Sequence, residues 1–197
     1  MATSPATPAA FNHDRFTARA KVFDIAPKFH FYDPQGRVIG FLKQKLFKLK
    51  EDIRLYADES ATQELLTIKA RQMLDISATY DVTDSRQQQK VGALRRKGLK
   101  SILIDEWTIL DAGDREIGLI KEDSALMATL RRFLSNLIPQ TYHFEVGGQH
   151  VGKAAQRFNP FVHTLDVDLT PDRERKLDRR LAAAAIVLLL AIEGRQD

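Results

Sequence analysis

The sequence predicts a closed antiparallel β-barrel of about 12 strands around a buried apolar C-terminal helix, with one amphipathic helix on its surface. Three observations lead to this fold: many short apolar segments separated by turn residues, a recurring hairpin pattern, and one long apolar run near the C-terminus. A chain of 197 residues suits a single domain. We expect residues 1–20 to form a disordered tail and residues 21–197 to form the barrel domain.

Short strands are predicted by about eleven segments that mix apolar and polar residues. The clearest is the segment 164–169, in which apolar and polar side chains alternate and therefore point to opposite faces. The other predicted strands are 29–32, 38–43, 53–56, 65–70, 78–82, 91–95, 101–104, 107–110, 116–120 and 142–146.

One hairpin pattern recurs along the chain: an apolar strand, an acidic residue, a turn, and then an apolar residue followed by glycine. The three copies run from Asp33 to Gly40, from Asp111 to Gly118, and from Glu145 to Gly152. Aspartate starts turns by bonding its own backbone, and glycine in the returning strand indicates a bulge or a close backbone approach. The repeat therefore predicts structural hairpins of a closing barrel.

Two helices interrupt the strand pattern. Ser124 to Leu137 carries an apolar stripe and is predicted to lie on the barrel surface. The second helix is predicted to start near Thr170 and to run into the apolar segment 181–192. Twelve residues span about 18 Å, whereas a bilayer core is about 30 Å thick, so this helix is not predicted to cross a membrane. Because it is apolar on all sides, we expect it inside the barrel.

Several short motifs occur in a characteristic order along residues 21–196. They are Phe31-Tyr32-Asp33 with Gly36 and Val38, Phe41-Leu42-Lys43-Gln44-Lys45, the apolar–glycine returns, Phe158-Asn159-Pro160-Phe161, and the terminal helix through Glu193-Gly194-Arg195-Gln196. In this order the chain resembles the LURP-one-related and phospholipid-scramblase-like families of the Tubby C-terminal-like fold. The resemblance implies a non-enzymatic barrel whose relatives bind phosphoinositides, tether to membranes or scramble lipids, or have no known biochemical role.

Scrambling is the less favoured of these functions for this chain. It has no cysteine for the palmitoylation that scramblases carry. Its acidic stretch before the helix, which contains Asp166, Asp168 and Asp172, lacks the glycine and ordered oxygen ligands of a compact calcium loop.

Two basic clusters are the candidate lipid-headgroup site. They comprise Lys43, Lys45 and Lys48 in the first cluster, and Arg95, Arg96 and Lys97 in the second. Each such cation contributes about 1 kcal/mol near an anionic surface. Taken alone, the lysines are more typical of solvated strand edges, but together with the family resemblance they make an anionic phospholipid the leading predicted partner. The alternatives are lysines that merely guard strand edges, and a barrel that binds another protein. Nucleic acid is not expected as a partner, because apart from Phe47 no aromatic side chain on which bases could stack lies near the lysines in the sequence.

Catalytic and metal-binding patterns are weak in this sequence. Residues 147–154 match the G-x-x-x-x-G-K spacing, but Ala154 replaces the required Ser or Thr, and the segment belongs to the hairpin repeat. Asp166 and Asp168 share one strand face and are weak metal candidates, with an outward acidic face as the favoured alternative. The sequence has no H-E-x-x-H or G-x-S-x-G motif, so we predict neither a catalytic function nor a bound cofactor. The lack of cysteine agrees with a cytoplasmic protein, with peripheral membrane contact as an option.

Overall fold

The computed structural model describes residues 8–21, 28–43, 52–72, 78–97, 106–122, 139–159 and 161–192. In these ranges twelve antiparallel strands form one closed barrel, followed by one α-helix. The fold class predicted from the sequence is therefore confirmed. The predicted surface helix, Ser124 to Leu137, and the predicted strand 101–104 lie outside the described residues.

Each strand pairs with its neighbours along the chain, and the last strand pairs with the first. The strands are β1 (Arg15–Lys21), β2 (Lys28–Tyr32), β3 (Val38–Lys43), β4 (Asp52–Tyr56), β5 (Glu64–Ala70), β6 (Thr79–Asp84), β7 (Gln89–Arg96), β8 (Glu106–Asp111), β9 (Glu116–Glu122), β10 (Thr141–Val146), β11 (Gln149–Arg157) and β12 (Val162–Asp168). The helix, α1, spans Arg179–Ile192.

Strand β1 closes the barrel, although it lies in the segment predicted to be a disordered tail. Seven residue pairs join it to β12. Phe16, Ala18 and Ala20 are buried in the core. The predicted boundary at residue 21 is therefore too late. Two of the three inward residues are alanines, which carry little hydrophobic signal, and the pairing with β12 is invisible in the local sequence.

Helix α1 lies inside the barrel. Every residue from Leu181 to Ala191 is at most 7% exposed. The helix contacts β12 on one side and β5, β6 and β7 on the other, and β12 and β6 are half a turn apart around the ring. The apolar run is thus the central helix, as predicted. In the described part of the chain, every helix is too short or too polar to cross a lipid bilayer.

The central helix begins at Arg179 rather than near Thr170 as predicted. The residues in between form a turn, because the carboxylate of Asp172 accepts the backbone N–H groups of Lys176 at 2.9 Å and of Leu177 at 3.0 Å. An aspartate that satisfies local backbone groups in this way competes with helix formation.

The returning strand of each of the five hairpins contains a bulge, which the repeat glycines predicted for the three hairpin copies. In the β2–β3 hairpin, Phe31 pairs with Gly40 and Tyr32 pairs with Val38, so Ile39 is the extra residue. Register shifts of this kind also occur in the β4–β5, β6–β7, β8–β9 and β10–β11 hairpins. Bulges bend a strand and increase its twist, which helps the sheet to close.

Two of the predicted hairpin copies share the same turn chemistry. The Oδ1 atom of Asp33 accepts the backbone N–H groups of Gln35 at 3.0 Å and of Arg37 at 2.8 Å. The Arg37 Nε atom donates to the second carboxylate oxygen at 2.6 Å. Asp111 accepts the backbone N–H and the Nε–H of Arg115 in the same way, at 3.0 Å and 2.8 Å. In the third copy, Gly147 and Gly148 have positive φ angles and form the two-residue turn between β10 and β11, so the segment with the phosphate-loop spacing continues as a strand rather than a helix.

The barrel has two different ends. Five hairpin turns and the first residue of α1 lie at one end, which we call the hairpin end. The other end, which we call the connection end, carries the last residues of the odd-numbered strands and the first residues of the even-numbered strands. Lys43 and Arg96, which terminate β3 and β7, therefore both lie at the connection end.

Candidate functional site

The structure separates the two predicted basic clusters. Lys43 ends β3, whereas Arg95 and Arg96 end β7, four strand positions away around the barrel. At about 4.8 Å per strand, this corresponds to about 19 Å along the barrel wall. Lys45 and Lys48 lie outside the described residues.

The cluster at the end of β7 is largely charge-balanced. Arg95 forms an ion pair with Glu116. The Nζ atom of Lys97 lies 2.7 Å from Oε1 of Glu106. Two of the three cations predicted here thus already have a carboxylate partner, so this cluster attracts an external anion less than its sequence suggests.

The two predicted metal candidates are also engaged by cations. Asp166 accepts a hydrogen bond of 2.7 Å from Arg157 Nη2, and Asp168 lies 3.2 Å from Arg15 Nε. Burial alone raises the pKa of Asp168, but hydrogen bonds from Thr170 and Arg15 outweigh it and hold that pKa below its usual value. Within the described ranges, no three His, Asp or Glu side chains are arranged to hold a metal ion.

A row of three lysines crosses β1, β2 and β3 at the connection end. Lys28 pairs with Lys43 across β2 and β3. Ala20 pairs with Phe29 across β1 and β2, so Lys21 and Lys28 are the next positions on the same two strands. Opposite positions on adjacent antiparallel strands lie about 4.5–5.5 Å apart, so the three residues fall within about 11 Å.

Arg19 adds a fourth cation beside this row. It lies two residues before Lys21 on β1, and its guanidinium carbon is 5.1 Å from the centroid of the Tyr32 ring. Arg19 and Lys28 are both exposed. Neither of them forms an ion pair with any residue that the structure describes. We call Arg19, Lys21, Lys28 and Lys43 the basic rim.

Other basic side chains on the same wall have acidic partners. The Nε2 atom of His30, opposite Arg19, lies 2.9 Å from Oε1 of Glu59. Arg157 is paired with Asp166. Among the residues that the structure describes, Arg19 and Lys28 therefore differ from these neighbours in having no carboxylate partner, which favours the approach of anions to the basic rim.

The position of the basic rim bears on the edge-strand alternative. Lysine often protects an exposed sheet edge from pairing with another chain. Strands β1 and β2 are paired on both sides in the closed barrel, so Lys21 and Lys28 guard no free edge. Like charges opposite each other on neighbouring strands also disfavour folding slightly. The basic rim therefore does not serve to protect a free sheet edge.

A model of one protein family matches most of the barrel. It is described as LURP-one-related, and it matches residues 38–190, from the first residue of β3 into α1. The chain belongs to the LURP-one-related family. No curated protein and no solved structure gives a significant match.

The family match includes only part of the basic rim. Lys43 lies within it, whereas Arg19, Lys21 and Lys28 precede it, on β1 and β2. In this LURP-one-related protein, the two strands before the matched region complete the barrel and carry most of the basic rim.

Sequence reasoning missed Arg19, Lys21 and Lys28. Each lies close to a strand end and is flanked by apolar residues on both sides, so none of them forms a continuous basic run along the chain. Only the register of β1, β2 and β3 assembles them. The usable signal was the apolar alternation of Phe16, Ala18 and Ala20, which predicts a strand once alanine is counted as an inward residue.

Proposed function

We propose that this protein is a non-catalytic, Tubby-like barrel that binds the anionic headgroups of a phospholipid membrane through the basic rim. The observation that carries the proposal is the row of Lys21, Lys28 and Lys43 on three adjacent strand ends, with Arg19 beside it. A peripheral location at the cytoplasmic face of a membrane is part of this proposal.

The expected strength follows from the number of cations. A Lys or Arg near an anionic membrane surface contributes about 1 kcal/mol, so four contribute up to about 4 kcal/mol, or roughly a thousandfold in affinity. Salt screens such contacts within about 10 Å at 0.1 M ionic strength, and binding should therefore weaken as salt is raised. Lys45 and Lys48, which follow Lys43 in the sequence, are proposed to add to this attraction.

Binding without lipid scrambling is the favoured form of the proposal. A calcium site requires several free oxygen ligands. Asp166 and Asp168, the weak metal candidates, are paired with Arg157 and Arg15. This pairing supports a role for both aspartates in holding the barrel wall together.

Vesicle flotation tests the proposal. The wild-type protein should float with phosphatidylcholine vesicles that contain phosphatidylserine or a phosphoinositide. It should not float with vesicles of phosphatidylcholine alone. Lys28→Glu should reduce the floated fraction at least tenfold, because it replaces a central cation of the basic rim by an anion.

Lys176→Glu is the matched control, because it makes the same change of charge at the hairpin end, where Lys176 contacts Glu174 at 3.0 Å. It should float like the wild type. Equal flotation with neutral and anionic vesicles would overturn the proposal. A stoichiometric protein partner together with no lipid binding would favour a protein-binding barrel instead.

A further inference from the structure

Two exposed phenylalanines lie in a single connection of the barrel. Phe158 is 52% exposed and Phe161 is 67% exposed, and both lie between β11 and β12 at the connection end. Among the described residues, the third large exposed hydrophobic side chain is Val38, at the hairpin end. The apolar exposure of the described surface is thus concentrated at one place.

The connection that carries these rings is held by its own hydrogen bonds. The Oδ1 atom of Asn159 accepts the backbone N–H groups of Phe161 at 2.8 Å and of Val162 at 3.1 Å. Before the connection, Arg157 is anchored to Asp166 on the neighbouring strand. Phe158 and Phe161 therefore lie on either side of Asn159, whose side chain satisfies backbone donors at the start of β12.

This apolar connection lies next to the basic rim. Phe161 immediately precedes Val162, which pairs with Lys21 across β12 and β1. Lys21 in turn adjoins Lys28, which pairs with Lys43. The register thus places an exposed aromatic side chain next to one end of the row of cations, and the distance from β12 across to Lys43 on β3 is three strand spacings, or about 14 Å.

We infer that Phe158 and Phe161 insert into the interfacial region of an anionic membrane when the basic rim binds its headgroups. This inference rests on the proposed function and adds to it an apolar anchor. Cations beside exposed aromatic residues are the combination by which peripheral proteins lie in a membrane interface, because the cations meet the headgroups while the rings displace water from the acyl boundary. The cations also favour an anionic bilayer over an apolar protein groove as the occupant.

A tryptophan placed in the connection reports insertion directly. Trp107, the only tryptophan of the chain, is 1% exposed and provides a constant background. In Phe161→Trp, the emission should shift to the blue on addition of phosphatidylserine-containing vesicles and should be quenched by lipids brominated near the headgroup. Val38→Trp, at the hairpin end, is the matched control and should show neither change.

A second pair of variants measures the contribution of the anchor. Phe158→Ser combined with Phe161→Ser should weaken vesicle binding roughly tenfold or more, since the two rings that enter the membrane interface are lost. The thermal unfolding temperature should stay near that of the wild type, because both rings are exposed in the protein. Phe158→Leu combined with Phe161→Leu retains apolar side chains and should keep most of the binding.

The outcomes separate the two proposals. Flotation that persists while the emission of Phe161→Trp is not quenched, or while the double serine variant binds like the wild type, would overturn insertion and leave headgroup binding in place. Loss of wild-type flotation with every anionic vesicle would overturn both. Quenching that is equally strong in neutral vesicles would support the apolar anchor and overturn the role of the basic rim.

Discussion

Arg179 and Asp172 form a buried ion pair where the central helix enters the barrel. Arg179 Nη1 lies 2.7 Å from Asp172 Oδ2, and the two side chains are 5% and 1% exposed. Arg179 also donates from Nη2 to Oδ1 of Asp14, immediately before β1, at 2.7 Å. One guanidinium thus links the start of the barrel, the turn after β12 and the first residue of the helix.

Removal of this guanidinium should destabilise the whole domain. Arg179→Leu leaves the Asp172 carboxylate buried without its cation, which costs about 3–5 kcal/mol in comparable cases. Urea unfolding followed by circular dichroism measures the change in the free energy of unfolding. Arg173→Leu, an exposed change in the same turn, should alter it by less than about 0.5 kcal/mol. Equal effects of the two variants would contradict the structural role of the pair.

The same pair predicts the direction of the pH dependence of stability. Burial alone raises the pKa of Asp172, but hydrogen bonds from Arg179 and from the backbone of Leu177 and Lys176 outweigh it, so its pKa lies below the ordinary value of 3.8. The ionised Asp172 therefore stabilises the folded protein at pH values above 3.8. This contribution is lost as the pH falls through the lower pKa of the folded state.

Urea unfolding of wild type and Asp172→Asn across pH 2–7 tests this direction. The wild type should be the more stable protein near neutral pH, and its advantage should shrink below about pH 4, where the unfolded carboxyl takes up its proton. An advantage that grows as the pH falls would contradict the lowered pKa.

Close backbone contact predicts a severe effect of a single methyl group at Gly118. A Cβ atom at this position would overlap the carbonyl oxygen of Glu145 on the neighbouring strand β10. Gly118→Ala should therefore lower the free energy of unfolding by more than about 2 kcal/mol. At Gly40, the nearest atom to an added Cβ is a side-chain carbon of Phe31 at 3.3 Å, so Gly40→Ala should cost less. Thermal unfolding of the two variants compares these losses of stability. A larger loss in Gly40→Ala than in Gly118→Ala would be inconsistent with the register described above.

The position of the central helix predicts cooperative unfolding on charge insertion. Leu188 has 0% exposure inside the barrel. Leu188→Asp buries a carboxylate in an apolar lumen and should unfold the entire domain, seen as loss of the near-ultraviolet circular dichroism of Trp107. Leu188→Met, which nearly conserves volume, should cost less than about 1.5 kcal/mol. A folded Leu188→Asp protein that loses only membrane binding would contradict this position of the helix.

Local patterns predicted the architecture, whereas long-range register determined the site. The apolar run of α1 and the glycines of the hairpins have their structural effect where they stand in the chain, so the sequence revealed both a central helix and bulged strands. The pairing of β1 with β12 joins residues at opposite ends of the chain. Lys21 and Lys28 become neighbours only through such pairing, and no local pattern predicts it.

The salt dependence of vesicle binding tests the basic rim most directly. Sedimentation with phosphatidylserine-containing vesicles should show that wild-type binding weakens steeply as salt rises from about 50 to 300 mM, because screening shortens the reach of the four cations. The variant Lys21→Glu with Lys28→Glu should bind at least a hundredfold more weakly at low salt and lose most of this salt dependence. Wild-type affinity and an unchanged salt dependence in this variant would contradict headgroup binding by the basic rim.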